Sequence, residues 1–348
     1  IFYGTSRVQE ANVFTSVYGK AYLDPNYTMM TRLLNQELKG QVSDIYRNYT
    51  IFMISNAMFN ALGYTLDPSV SADINLQWRF TPPAGSTLPA TTGSSTRNDL
   101  LRILNLHVIP NRVMTDLSGE GTLKTYGEEY VGYKNNTVFA AGNVEANNAA
   151  RVTGNKTAKN GRVFYIDRLL DFSRTIVGSH IEILGTPTAS QYNFFWQFLK
   201  NSTIWNNATK EIAGVANGSF YTLFVPNNAA IQRAVNEGAL PGTGNGAIKT
   251  PNFNPTTNVE KAQVQNFILY HFLDKREVGA DGSESGAFPT ILKTNLGDAT
   301  TIFVNNTPGF ITLSDMNGRT AKVVSATSYY ISNRLFIHLT DNYLKYTF

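Results

Sequence analysis

Apolar residues in this chain fall into short blocks of three kinds, and each kind occurs twice in the same order. The first kind is a continuous run of β-branched and aromatic residues: Tyr49-Thr-Ile-Phe-Met-Ile54, and again Tyr221-Thr-Leu-Phe-Val225. Runs of that length and composition predict a buried strand. Each breaks at a small polar residue, Ser55 or Asn227, placed to accept the first free N–H groups of a helix that follows. The second kind has helical spacing. Leu100, Ile103, Leu104 and His107 share one face of a predicted helix, as do Val264, Phe267, Ile268 and His271, so both imidazoles are expected to point inward. The third is a turn at asparagine, a strand, then an aspartate: Asn160 to Asp167 and Asn333 to Asp341.

The two sets lie roughly 165 to 175 residues apart, a domain's length rather than a solenoid's. At 348 residues the chain exceeds what one core comfortably supports. We therefore expect a duplication: domain 1 over 24–172, domain 2 over 176–348, and a leading segment 1–23 that is a linker or an added strand. Each unit reads as strand, helix, helix, then mainly strands, which is an α+β class.

These blocks together resemble the fasciclin domain family. Thr50 to Phe59 and Thr222 to Ile231 are similar to its first box, Thr-x-Phe-x-Pro-Thr-Asn-x-Ala-Phe, with Asn56 and Asn228 at the asparagine. Tyr270-His271 matches its Tyr-His dipeptide, and Leu106-His107 matches half of it. Val163 to Leu170 and Ile337 to Leu344 resemble its closing box. Gly121 to Lys124 and Phe288 to Lys293 resemble the segment between the last two boxes. Asp24 to Leu38 and Tyr192 to Leu199 look like its opening helix. Ile54 stands where the family has proline, and Leu106 where it has tyrosine. The resemblance implies tandem fasciclin-like domains, each a β-sandwich-like wedge of two small sheets packed with short helices. It also implies adhesion rather than catalysis, and it marks Tyr270 and His271 as a pair to weigh for binding.

Composition narrows the partners. Apolar residues make up 42% and charged ones 16%, as in ordinary globular proteins. The net charge of +4 comes without a basic run interleaved with aromatics, so nucleic acid is not an expected partner. The longest apolar runs fall far short of the ~20 residues that span a bilayer. With no cysteine, disulfides and thiolate sites are excluded. The chain begins at Ile1 without methionine, and a removed targeting segment or lipid-bearing cysteine ahead of it is an expectation. Abundant Asn, Thr, Tyr and Gly suggest a secreted, carbohydrate-facing protein, and the lack of cysteine points to a bacterial cell-envelope lipoprotein, at a cell surface or in a periplasm, anchored through a segment ahead of Ile1. The partner would be an extracellular protein or a polysaccharide. Sequons such as Asn26-Tyr-Thr, Asn201-Ser-Thr and Asn305-Asn-Thr would accept glycans in a eukaryotic secretory pathway.

Candidate chemistry is sparse. The histidines, His107, His180, His271 and His338, are never paired at i, i+4 and are divided between the halves, so no metal site is expected. A hydrogen bond from His107 or His271 to the turn bearing Asn56 or Asn228 is the expected structural role. Gly242 to Ala247 is glycine-rich, but no buried strand precedes it and Pro251 follows, so no dinucleotide site and no cofactor are expected. Glu128 and Glu129 read as solvated charges on opposite faces of a strand. Long loops, 65–98 and 238–258, separate the first box from the histidine helix in each half. The first carries Trp78 and Phe80 on a short extra strand. Packed, they hold the loop; displayed, they stack on a sugar or anchor a protein, and with nearby carboxylates they define the alternative of a glycan-processing accessory protein or weak hydrolase. Asp167 and Asp341 complete the residues expected to serve the fold.

Overall fold

The computed structural model describes residues 12–324 and 329–347. The chain divides into two compact units, Ile1–Phe172 and Ser173–Phe348, each with its own hydrophobic core.

Domain 1 runs α1 (Val17–Tyr22), α2 (Thr28–Glu37), α3 (Lys39–Val42), β1 (Tyr49–Met53), α4 (Asn56–Ala61), β2 (Tyr64–Leu66), β3 (Trp78–Phe80), β4 (Thr91–Thr92), α5 (Ser94–Leu106), β5 (Val108–Pro110), β6 (Glu120–Lys124), β7 (Tyr130–Lys134), β8 (Thr137–Phe139), α6 (Ala141–Glu145), β9 (Ala150–Ala158) and β10 (Gly161–Ile166). Its main sheet has the order β5-β1-β10-β9-β8-β7-β6. Among the described residues of this sheet only β1 and β10 pair in parallel, from Tyr49 opposite Gly161 to Met53 opposite Tyr165. All of β1 is buried, which is why it reads as an unbroken apolar run rather than as an alternating one.

Domain 2 runs α7 (Val177–Gly185), α8 (Asn193–Lys200), β11 (Tyr221–Pro226), α9 (Asn228–Asn236), α10 (Asn258–Tyr270), β12 (Phe272–Asp274), β13 (Gly286–Lys293), β14 (Ala299–Thr307), β15 (Phe310–Ser314), β16 (Thr320–Lys322), β17 (Tyr329–Ile331) and β18 (Leu335–Thr340). Short two-residue strands occupy the 205–212 and 242–251 segments. The main sheet has the order β16-β15-β14-β13-β12-β11-β18-β17. Here β11 and β18 form the parallel pair, from Tyr221 opposite Leu335 to Pro226 opposite Thr340. The central triplet β5-β1-β10 therefore recurs as β12-β11-β18, with the same parallel and antiparallel senses.

The first box folds as its pattern predicts. Ser55 Oγ accepts from Met58 N–H, and Asn227 Oδ1 from Ala230 N–H, so each strand leads into a capped helix. The extra strand expected near Trp78 is β3, which pairs with β2 and β4 in a small sheet.

The described part of the leading segment corrects its expected role. It is neither linker nor strand: Val17, Tyr18 and Ala21 of α1 lie in the domain 1 core. Asn160, in the turn before β10, fixes it there. Its Oδ1 accepts from Val17 N–H at 2.8 Å, and its Nδ2 donates to the carbonyls of Val42 and Asp44, both at 2.9 Å. Domain 2 ties its corresponding turn to the residues ahead of α7 in the same manner, Asn333 Nδ2 donating to Thr175 O.

Candidate functional site

Four polar residues of the repeated boxes make the same bonds in both domains. Asn56 Oδ1 accepts from Met29 N–H at 2.9 Å while its amide donates to Pro25 O and Thr28 Oγ1. Asn228 does likewise, accepting from Phe194 N–H at 2.9 Å and donating to Ser190 O. Each asparagine thus takes up a free N–H in the first turn of the opening helix, α2 or α8. Thr50 and Thr222, inside the buried strands, donate to Arg112 O and Arg276 O and accept from Met114 and Val278 N–H. Asp167 Oδ1 accepts from Arg151 N–H at 2.8 Å, and Asp341 Oδ1 from Lys322 N–H at 2.7 Å. Replacing Asn228 by alanine is therefore expected to cost domain 2 about 1–2 kcal/mol, and Asn56→Ala the same in domain 1, measured as urea midpoints.

The fourth is the histidine that follows each long helix. His107 Nδ1 lies 2.7 Å from Ile103 O, and its Nε2 lies 3.1 Å from Leu170 N. For His271 the partners are Phe267 O at 2.7 Å and Leu344 N at 3.2 Å. The backbone N–H can only donate, so Nε2 accepts, and Nδ1–H donates to the helix carbonyl one turn back. Burial pushes both imidazoles down to about 4, with the carbonyl contact opposing the shift, so both are neutral near pH 7. This corrects the expected partner. The imidazoles hold the segment after the closing strand, not the turn that carries Asn56 or Asn228. Tyr270 is not required for the arrangement, since Leu106 occupies its place in domain 1 and His107 keeps both bonds.

With both ring nitrogens engaged and the rings fully buried, neither histidine can reach a substrate or a metal. Among the described residues, no three His, Asp or Glu side chains gather as a metal would require.

The residues proposed for binding are also in the cores, which corrects the displayed reading. Trp78 is 0% exposed, Phe80 7%, Tyr270 1% and His271 0%. Phe80 packs on Tyr64 with ring centroids 4.8 Å apart. Tyr270 donates its hydroxyl to Thr301 O. Arg32 closes the Trp78 loop onto α2 through Ile74 O and Gln77 Oε1. The carboxylates near Trp78 hold local structure: Asp67 pairs with Arg79 and accepts from Ser69, and Asp73 accepts from Asn75 N–H. The aromatic that the hydrolase alternative would display is therefore buried.

Glu129 is a further correction. It is buried and takes a bidentate bond from Arg102, at 2.8 and 2.9 Å, while Arg102 lies over the Phe172 ring. Glu128, with φ of 65°, is in the turn before β7. The two are not solvated neighbours on one strand.

Among the accessible concave surfaces is a groove on domain 1, about 560 Å³, between α1 and the turn after α3. Phe14, Tyr18 and Tyr22 form a row along one wall, with centroids 5.8 Å apart for Phe14–Tyr22 and 5.6 Å for Tyr18–Tyr22. Tyr46 and Lys39 also line it. None of these was singled out from the sequence. The available signal was the four-residue recurrence of aromatic rings at Phe14, Tyr18 and Tyr22.

The sequence signature of the fasciclin domain matches residues 25–172 and, separately, 190–345. The chain belongs to the fasciclin domain family. Among solved structures it is similar to the FAS1 domain pair of the insect cell adhesion molecule Fasciclin I, at 16% identity, covering 91% of this chain and 96% of that one, with a TM-score of 0.36. No curated protein sequence matches it. Fasciclin domains are generally extracellular adhesion or binding modules and typically are not enzymes. In these two fasciclin domains no described helix is long and apolar enough to cross a membrane.

Proposed function

We propose that this pair of fasciclin domains is a non-enzymatic adhesion and binding protein outside the cytoplasm, at a cell surface or in a periplasm, presenting exposed loops and grooves to an extracellular protein or polysaccharide. The observation that supports the reading most is that the polar residues the two domains share are all taken up in main-chain hydrogen bonds. Asn56, His107 and Asp167, with Asn228, His271 and Asp341, are each bonded to main chain within their own domain. Residues committed to closing strands and capping helices cannot also move protons in a cleft. Ligand contact then falls to the surface between those fixed elements.

The test is a pull-down and glycan-array screen of the intact chain. Retention of an extracellular protein or glycan, released unchanged, is the expected result. Turnover of any oligosaccharide, abolished by a single Asp or Glu substitution, overturns the reading.

A further inference from the structure

The groove on domain 1 has chemistry that no shared fasciclin residue accounts for. Tyr46 is 89% exposed and Tyr22 51%, beside the fully buried Tyr18. Folding gains little from rings left in water, since burial of a large side chain contributes roughly 1.5–3 kcal/mol only when it is complete. Phe14 and Tyr22 are stacked along one wall, with Tyr18 buried behind Tyr22. Lys39 Nζ lies 5.8 Å from the Tyr18 ring centre, within the range of a cation–π contact, and has no carboxylate partner among the described residues. The one acid of the lining, Asp44, is already engaged. It accepts from Tyr46 N–H at 2.9 Å and pairs with Arg47 at 3.5 Å. Among the described residues the groove therefore combines flat aromatic faces with one positive charge that no carboxylate pairs.

We propose that this groove binds an acidic polysaccharide, stacking the apolar faces of its sugar rings on Tyr22 and Tyr46 and pairing a uronate carboxylate with Lys39. The volume falls within the range of small-ligand pockets, roughly 300–1,000 Å³. A sugar ring offers a C–H face to an aromatic and hydroxyls to water, which suits a groove open to solvent. A single ammonium matches the single charge of a carboxylate. A phosphate would call for several converging donors or a helix N-terminus. The assignment rests on the binding reading above and narrows it to one surface and one ligand class.

The experiment is titration calorimetry of the intact chain, in low salt, with hexagalacturonate, its methyl ester and cellohexaose. The acid should bind more tightly than its ester, and the neutral hexamer no better than the ester. Lys39→Gln should weaken the acid about three- to fivefold and leave the ester unchanged. Tyr46→Ala should weaken acid and ester alike by about tenfold. Both side chains are exposed, so the thermal midpoint of each variant should equal that of the parent. Equal binding of acid and ester by the parent, no binding of the acid, or full affinity in both variants overturns the assignment. So does dimerisation in sedimentation that Tyr46→Ala abolishes, which would give the groove to a second copy of the chain. The pull-down and array screen, repeated with the Lys39 and Tyr46 variants, separates the two claims: retention that survives both substitutions removes the groove and leaves the adhesion reading standing.

Discussion

His271→Ala is expected to destabilise the second domain by about 4 kcal/mol and to lower its thermal midpoint by about 10 °C. Two losses add. The Leu344 N–H and the Phe267 carbonyl lose their partner in the core, at about 1–3 kcal/mol for a buried unsatisfied group. The ring also leaves a hole beside Phe267, whose centroid lies 4.5 Å away, and large-to-small core changes cost about 2–5 kcal/mol. His107→Ala should do the same in domain 1. Differential scanning calorimetry with amide hydrogen exchange, which reports the domains separately, provides the measurement. A variant that keeps its midpoint yet loses ligand retention would place the imidazole in a binding surface and contradict its assignment to the core.

Acidification from pH 7 to pH 5 should weaken domain 2 about twice as much as domain 1. Burial holds His107, His271 and His338 down to about 4, against the ordinary 6.5 that the unfolded chain recovers. Between those two values the unfolded state binds more protons, so stability falls as pH falls. The contribution of each imidazole is complete above about 6.5 and lost progressively down to about 4. At pH 5 the loss is about 2 kcal/mol per ring. Of these three rings, domain 1 carries one and domain 2 carries two. Urea unfolding at the two pH values, followed by hydrogen exchange, should show the larger drop in midpoint for domain 2. Equal losses in the two domains would refute the assignment of the shift to these rings.

How far these features were legible from sequence depends on how local they are. The run Tyr49–Ile54 reads as buried strand because β1 is covered on both faces, and Ser55 and Asn227 read as caps because their partners lie three residues on. The inward histidines were legible from helical spacing. Their second partners were not, because Leu170 and Leu344 lie 63 and 73 residues away in sequence and no periodicity encodes such a contact. Glu129 was misread for a similar reason: its neutralising Arg102 comes from α5, 27 residues earlier, and the positive φ at Glu128 ends the strand pattern that seemed to include both acids. The leading segment escaped because α1 has six residues, too few for a clear amphipathic stripe, and Asn160, which fixes it, lies 143 residues away. The groove was hidden twice over, since it joins α1 to a turn around Tyr46 that carries no pattern of its own.

The parallel pairing of β11 with β18 has a mechanical consequence. Six successive register pairs run from Tyr221 opposite Leu335 to Pro226 opposite Thr340, and the chain then passes directly to Leu344, held by His271. A pull on the chain beyond Leu344 meets the buried imidazole first. Transmitted along β18, that tension loads the whole ladder in shear, so its hydrogen bonds must yield together instead of unzipping singly. Parallel strand direction, with the imidazole behind it, thus gives domain 2 resistance to a pull at this end.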